Sequence, residues 1–115
     1  MNINDSHKYR VAINSRNSCS GYLLLAATLG KNVMKKLSKN ILWTGSHVNS
    51  IDAINTFRAD FAAIDCVTFE LLRKNRPDLL KSIRIIGYSV KAPSLPYVTS
   101  IYTPTEVVKN IKLAI

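Results

Sequence analysis

Residues 14–21 read Asn-Ser-Arg-Asn-Ser-Cys-Ser-Gly and lie between a strand-like run, Tyr9–Ile13, and a helix-like run, Tyr22–Leu29. A chain that leaves a strand through small hydroxyl residues and enters a helix carries several unpaired backbone N–H groups at the helix start. Those groups, the Ser18 and Ser20 hydroxyls and the positive end of the helix dipole suit a small anion. Gly21 permits close approach of backbone and ligand. Serines also cap helices for purely structural reasons, so this junction alone reads both ways.

Two further polar clusters occupy the same structural level. Thr44-Gly45-Ser46-His47 follows the apolar run Ile41–Trp43, and Asp65-Cys66-Val67-Thr68 follows Phe61–Ile64. Three strand-to-helix junctions in one parallel sheet line up along the carboxyl edge, where open α/β sheets bind ligands. His47 offers a ring nitrogen, and it also suits an exposed position in a first helical turn. Asp65 offers an acceptor, and it equally suits the N-cap of the helix beginning at Cys66. Cys19 and Cys66 read as small residues packed at helix starts; no base is spaced to activate either thiol.

The elements that must position these residues alternate. Strands are expected at Lys8–Asn14, Ile41–Thr44, Asp60–Ile64 and Ile83–Ser89, in the order 2-1-3-4. Helices are expected at Ser20–Gly30 (apolar nearly all round, hence buried), Val33–Ser38, Ser46–Phe57 and Cys66–Lys74, with a turn at Pro77–Lys81. After a linker containing Pro93 and Pro96, a fifth strand-like run covers Tyr97–Ile101. Thr103-Pro104-Thr105-Glu106 then reads as a capping box opening a last helix, with Val107, Val108, Ile111 and Ile115 on one face. The fold class is α/β, a three-layer arrangement of a mainly parallel sheet with helices on both faces.

Size and composition narrow the function classes. The 115 residues suit one domain, and 47% hydrophobic against 20% charged residues is the balance of a folded core. No run approaches the ~18 apolar residues of a membrane span. The polar start, Met1–Lys8, shows no signal-peptide apolar region. Two cysteines outside any C-x-x-C pair exclude a disulfide framework, and nothing calls for a metal or a cofactor. The net charge of +9 is spread along the chain without an arginine-rich arm or interleaved aromatics. It reads as a generally basic surface that speeds encounter with anions, not as a nucleic-acid footprint.

Four motifs in order carry a resemblance: Asn14…Ser18-x-Ser20-Gly21-Tyr22; Thr44-Gly45-Ser46-His47-x-x-Ser50; Ala59-Asp60-Phe61-Ala62-Ala63-Ile64-Asp65; and Leu95-Pro96-Tyr97-Val98-Thr99-Ser100. From Tyr9 onward the chain resembles the phosphate/phosphonate substrate-binding proteins of ABC transporters, two-lobed members of the type II periplasmic class. The resemblance implies a small anionic ligand touched by Ser18, Ser20, Gly21, His47 and Asp65, and an ABC permease as partner. It implies that residues 1–90 form the second, ligand-binding lobe and that 91–115 form a hinge-like linker, strand and helix returning toward a first lobe. That first lobe is missing here, so the chain reads as truncated, with a separate chain as a possible source of it. The family's strand that enters the second lobe is missing too, which implies a gap between the third and fourth strands for Tyr97–Ser100 to fill from its own chain or a neighbour's. The family is periplasmic or lipid-anchored; the compartment of this chain stays open. Apolar residues of the returning segment predict self-association through 95–115.

The preferred function is therefore a small-anion-binding lobe without chemistry of its own. The rival is a regulatory or protein-interaction module that reuses the lobe without binding solute. An enzyme ranks below both: Ser20, His47 and Asp65 are present, but no G-x-S-x-G elbow accompanies them.

Overall fold

The computed structural model describes residues 3–93 and 96–114. Its centre is a three-stranded parallel sheet of β1 (Val11–Ile13), β2 (Ile41–Trp43) and β3 (Phe61–Ala62), in the order β2-β1-β3. Val11 is in register with Ile41 on one side and Phe61 on the other. The central strand is fully buried, as a parallel strand covered on both faces should be. The strands are shorter than expected. Residues 3–8 form a 3-10 turn, so β1 starts at Val11 and not at Lys8.

Side chains alternate across the sheet, and each face has its own helical cover. Val11, Ile13 and Phe61 join Met34 and Leu37 in one core, with Tyr22, Leu25, Ala26, Leu29 and Ile41 packed against them. This is the face of α1 (Leu24–Leu29) and α2 (Lys31–Leu37). On the other face Ala12 meets Ala53 and Ala59, with Leu42, Ile54 and Ala62 beside them, under α3 (His47–Asn55). The small residues on this side let α3 lie close to the strands. Burying a side chain such as Ile13, Leu37 or Ile51 contributes about 1.5–3 kcal/mol each. The three-layer expectation holds.

The helix starts follow their caps. Ser46 accepts from the Asn49 N–H and opens α3; Asp65 accepts from the Thr68 N–H and opens α4 (Cys66–Asn75). α3 closes with the Phe57 N–H on Ile54 O and the Arg58 N–H on Ala53 O. That is a Schellman closure with Phe57 at φ 60°, a position usually left to glycine. The helix expected over Ser20–Gly30 begins instead as a π-helical turn, Cys19–Leu23, before continuing as α1. It is not buried all round, since Leu23 is half exposed.

The expected fourth strand does not form: residues 83–93 carry no strand. Ile85 and Ile86 are half exposed, and the segment is tied at its end by the Val90 N–H donating to Thr28 Oγ1 at 3.0 Å. With β3 paired over two residues only, the sheet edge is a poor template, and the chain runs toward α1 instead. Tyr97–Ser100 is not a strand either, so there is no gap for it to fill. Residues 94 and 95 of the expected linker lie outside the described residues. α5 (Thr105–Ala114) begins one residue past Pro104, and the Thr103 hydroxyl sits 2.8 Å from that of Thr99 and not at the helix start. The radius of gyration, 17.3 Å, exceeds the about 13 Å of a compact chain of this length, because the C-terminal segment extends away from the sheet.

Candidate functional site

All three strand-to-helix junctions meet at the carboxyl edge of the sheet. The first two are stitched by backbone: Thr44 N–H donates to Ile13 O at 3.0 Å and Gly45 N–H to Asn14 O at 2.9 Å. Gly45 has φ +84°, which lets the chain turn sharply there into α3. Thr44 Oγ1 lies 2.6 Å from the fully buried Ser50 hydroxyl, and Asn49 Nδ2 donates to Thr44 O. Thr44, Ser46, Asn49 and Ser50 thus hold the loop that presents His47.

At the first junction Ser18 caps the π turn. Its Oγ accepts from the Gly21 N–H at 3.0 Å, and its carbonyl takes both the Tyr22 and Leu23 N–H groups. The Gly21 N–H, expected to meet a ligand, is thus already engaged. The N–H groups of Cys19 and Ser20 precede the first helical bond and have no protein partner among the described residues. Gly21 is buried against Asn14: a Cβ there would stand 1.8 Å from Asn14 Oδ1 and 3.0 Å from Ser18 Oγ. Here glycine is favoured by contact and not by conformation, since its φ is not positive.

His47 joins the two junctions. Its Nε2 lies 3.0 Å from Ser20 Oγ and 3.5 Å from Asn14 Nδ2. Its Nδ1 and the Asn14 Oδ1 are buried without hydrogen-bond partners. Burial holds the His47 pKa below its ordinary value, opposed by the Asp65 charge and more weakly by the Ala63 carbonyl. That carbonyl is near enough to favour the charged ring, yet Nδ1 makes no well-formed bond to it. A neutral, half-buried imidazole beside a hydroxyl and an amide is therefore the resting arrangement.

Asp65 faces His47 electrostatically without bonding to it. Its Oδ2 accepts from Thr68 N (3.0 Å) and Thr68 Oγ1 (3.2 Å), so its capping role is realised. The Ser-His-carboxylate relay of hydrolases needs the carboxylate on His Nδ1–H. That contact is absent among the described residues, and no metal-type cluster of His, Cys, Asp or Glu occurs among them. Cys19 and Cys66 are exposed, contrary to the packed position expected. The cap residues Ser18 and Asp65 take the inner position and leave each following thiol turned outward.

Two contributors escaped the sequence reading. Asn14 appeared in a motif but was not singled out; the residue after a buried strand and before a serine-rich turn was the available signal. Arg16 reaches over the Trp43 ring, 5.1 Å from its centroid, and Trp43 in turn lies 6.0 Å from Tyr22. This stack fixes a cation on the junction loop. Two shallow grooves lie elsewhere, one along Asn32, Lys35, Lys36 and Lys39 and one between Tyr97–Thr99 and α5.

A family model described as ABC transporter, phosphonate, periplasmic substrate-binding protein matches residues 2–115. No curated protein and no solved structure gives a significant match.

Proposed function

The chain belongs to the phosphonate periplasmic substrate-binding proteins of ABC transporters, and from that premise we propose that its junction site holds a small phosphate- or phosphonate-like anion. Ser18 and Ser20 donate through their hydroxyls, the helix start donates through backbone N–H groups, and Gly21 keeps the wall low. His47 donates to an anion oxygen, and Asp65 accepts from an amine or hydroxyl elsewhere on the ligand. The family is one of solute-binding proteins, not of enzymes; this lobe binds and releases without chemistry. In this reading residues 1–90 are the binding lobe and 91–115 are the hinge-like return.

The observation that carries the reading is the contact of Ser20 with His47 beside the helix-start N–H groups of Cys19 and Ser20, which have no partner among the described residues. Donors from two junctions converge there, and the ring is left for a ligand to complete. Ser18, Ser20, His47 and Asp65 are each only partly buried, so each bond to the anion is weaker than in a closed cleft. Affinity should be on the order of millimolar. Amide NMR titration with phosphate and methylphosphonate tests this. Shifts should centre on residues 18–21 and His47, weaken in Ser20→Ala and persist in Lys112→Ala. Silence at residues 18–21 up to roughly tens of millimolar, well above that dissociation constant, refutes it.

A second reading, a protein-interaction module, draws on one observation. Tyr97, Val98, Ile101 and Tyr102 are each more than 80% exposed on the C-terminal segment. Large contiguous apolar surfaces mark interfaces. The occupant is a second copy, a chain supplying the first lobe, or the permease that the family serves. No helix of the described residues is long and apolar enough to cross a membrane.

A further inference from the structure

The acids and bases of this chain are segregated. From Ser6 to Ile51 the sequence contains no Asp or Glu, yet it holds Lys31, Lys35, Lys36 and Lys39 close together. α2 and the 3-10 turn after it, Ser38–Asn40, display all four. Met34 and Leu37 are buried on the inner side of α2, and the four lysines are exposed on the outer side. Lys35, Lys36 and Lys39, with Asn32, line a groove of about 460 Å³. The ion pairs of the described residues use other cations: Lys8, Arg10, Arg58, Arg73 and Arg76. The 3-10 turn Ile3–Lys8 packs against α2, and its one carboxylate, Asp5, is held by Lys8 at 3.0 Å.

Lys31–Lys35 and Lys35–Lys39 are like charges four residues apart, and Lys36–Lys39 three apart, each a spacing that weakens an isolated helix. An anionic surface laid against α2 removes that repulsion. We propose that this lysine face docks the protein on the anionic headgroups of a phospholipid bilayer. The groove lining offers ammonium groups and an amide, with no aromatic ring to stack on a base and no guanidinium to read one. Point charges without readout fit a fluid charged surface better than a nucleic acid. Lys39 lies two residues before the amino-terminal end of β2, whereas the anion site lies at the carboxyl end of the strands. A docked lobe therefore keeps its binding edge turned away from the bilayer. This proposal stands independently of the anion site.

Cosedimentation with phosphatidylglycerol vesicles, against phosphatidylcholine vesicles, tests it. The protein should bind the former and not the latter, with affinity falling as added salt shortens the screening length from about 10 Å at 0.1 M to about 3 Å at 1 M. The triple variant K35Q/K36Q/K39Q should lose about 100-fold in affinity, roughly fivefold per lysine. A charge-matched control, K74Q/K109Q/K112Q, should stay within a few-fold of the parent. Far-UV circular dichroism and urea melts confirm that both variants keep the fold. The proposal fails if the parent ignores phosphatidylglycerol, if the control loses as much as the α2 variant, or if duplex DNA is bound more tightly than the vesicles.

Discussion

Gly21→Ala probes the closest contact of the site. The new Cβ would stand 1.8 Å from Asn14 Oδ1, 2.9 Å from Asn14 Cγ and 3.0 Å from Ser18 Oγ. Both neighbours are side chains, so the Asn14 amide must swing aside. Overpacking of this kind costs about 1–3 kcal/mol, and replacing a helical glycine with alanine returns about 1 kcal/mol. The net loss should be about 1 kcal/mol by urea unfolding. In an Asn14→Ala background the obstacle is gone, and Gly21→Ala should stabilise by about 0.5–1 kcal/mol. The sign reversal is the signature, a coupling energy of about 1–2 kcal/mol across the cycle. The displaced amide also leaves His47 Nε2, 3.5 Å away, so phosphate shifts at His47 should shrink in the single variant. A coupling indistinguishable from zero would show that Asn14 does not press on Gly21, and the account of the site would fall with it.

The remaining expectations test separate parts of the chain. His47 binds its proton less readily folded than unfolded because burial outweighs the Asp65 charge; the unfolded state then holds more protons within that window. Stability should therefore fall as pH drops below about 6.5 and level off beneath the folded pKa, a slope that His47→Gln removes in pH-resolved urea melts. Saturating phosphate should raise the His47 NMR titration midpoint, since an anion favours the charged ring; an unmoved midpoint contradicts contact. Asp65→Ala should cost about 1 kcal/mol through the α4 cap and lower the His47 midpoint further, whereas Asp65→Asn should keep most of the cap. Light scattering should find a dimer that Tyr97→Ser with Ile101→Ser dissociates, and a monomer at high concentration refutes association through the C-terminal segment.

The strands and helices flanking the site were legible because their signals are local. Caps at Ser46 and Asp65, helical spacing of Val48, Ile51 and Ile54, and short apolar runs at 11–13 and 41–43 each specify their own element. The parallel order of three strands followed from alternation alone. What was not legible depends on partners. Ile83–Ser89 has strand composition, but a strand needs an edge to pair with, and β3 provides two residues. Tyr97–Ile101 misled for the same reason. The π turn at Cys19 was invisible because its pattern differs from an α-helix by a single residue. At the site, residue types and junctions could be read, while the engagement of Gly21 N–H by Ser18 and the orphaned His47 Nδ1 are matters of ångströms.

That π turn has a consequence for how such a chain changes over generations. Cys19–Leu23 accommodates one residue more than an α-turn, with Leu23 reaching back to Ser18. Losing one codon within it would let the helix relax to ordinary α geometry while β1, β2 and α1 keep their places. The residues of the turn itself would then rotate by about 100° about the helix axis, the angle of one helical step. Ser20 would leave His47, and the donors of the two junctions would no longer converge. A lineage could thus silence the site through a single in-frame deletion that the core never registers, and regain it through a single insertion.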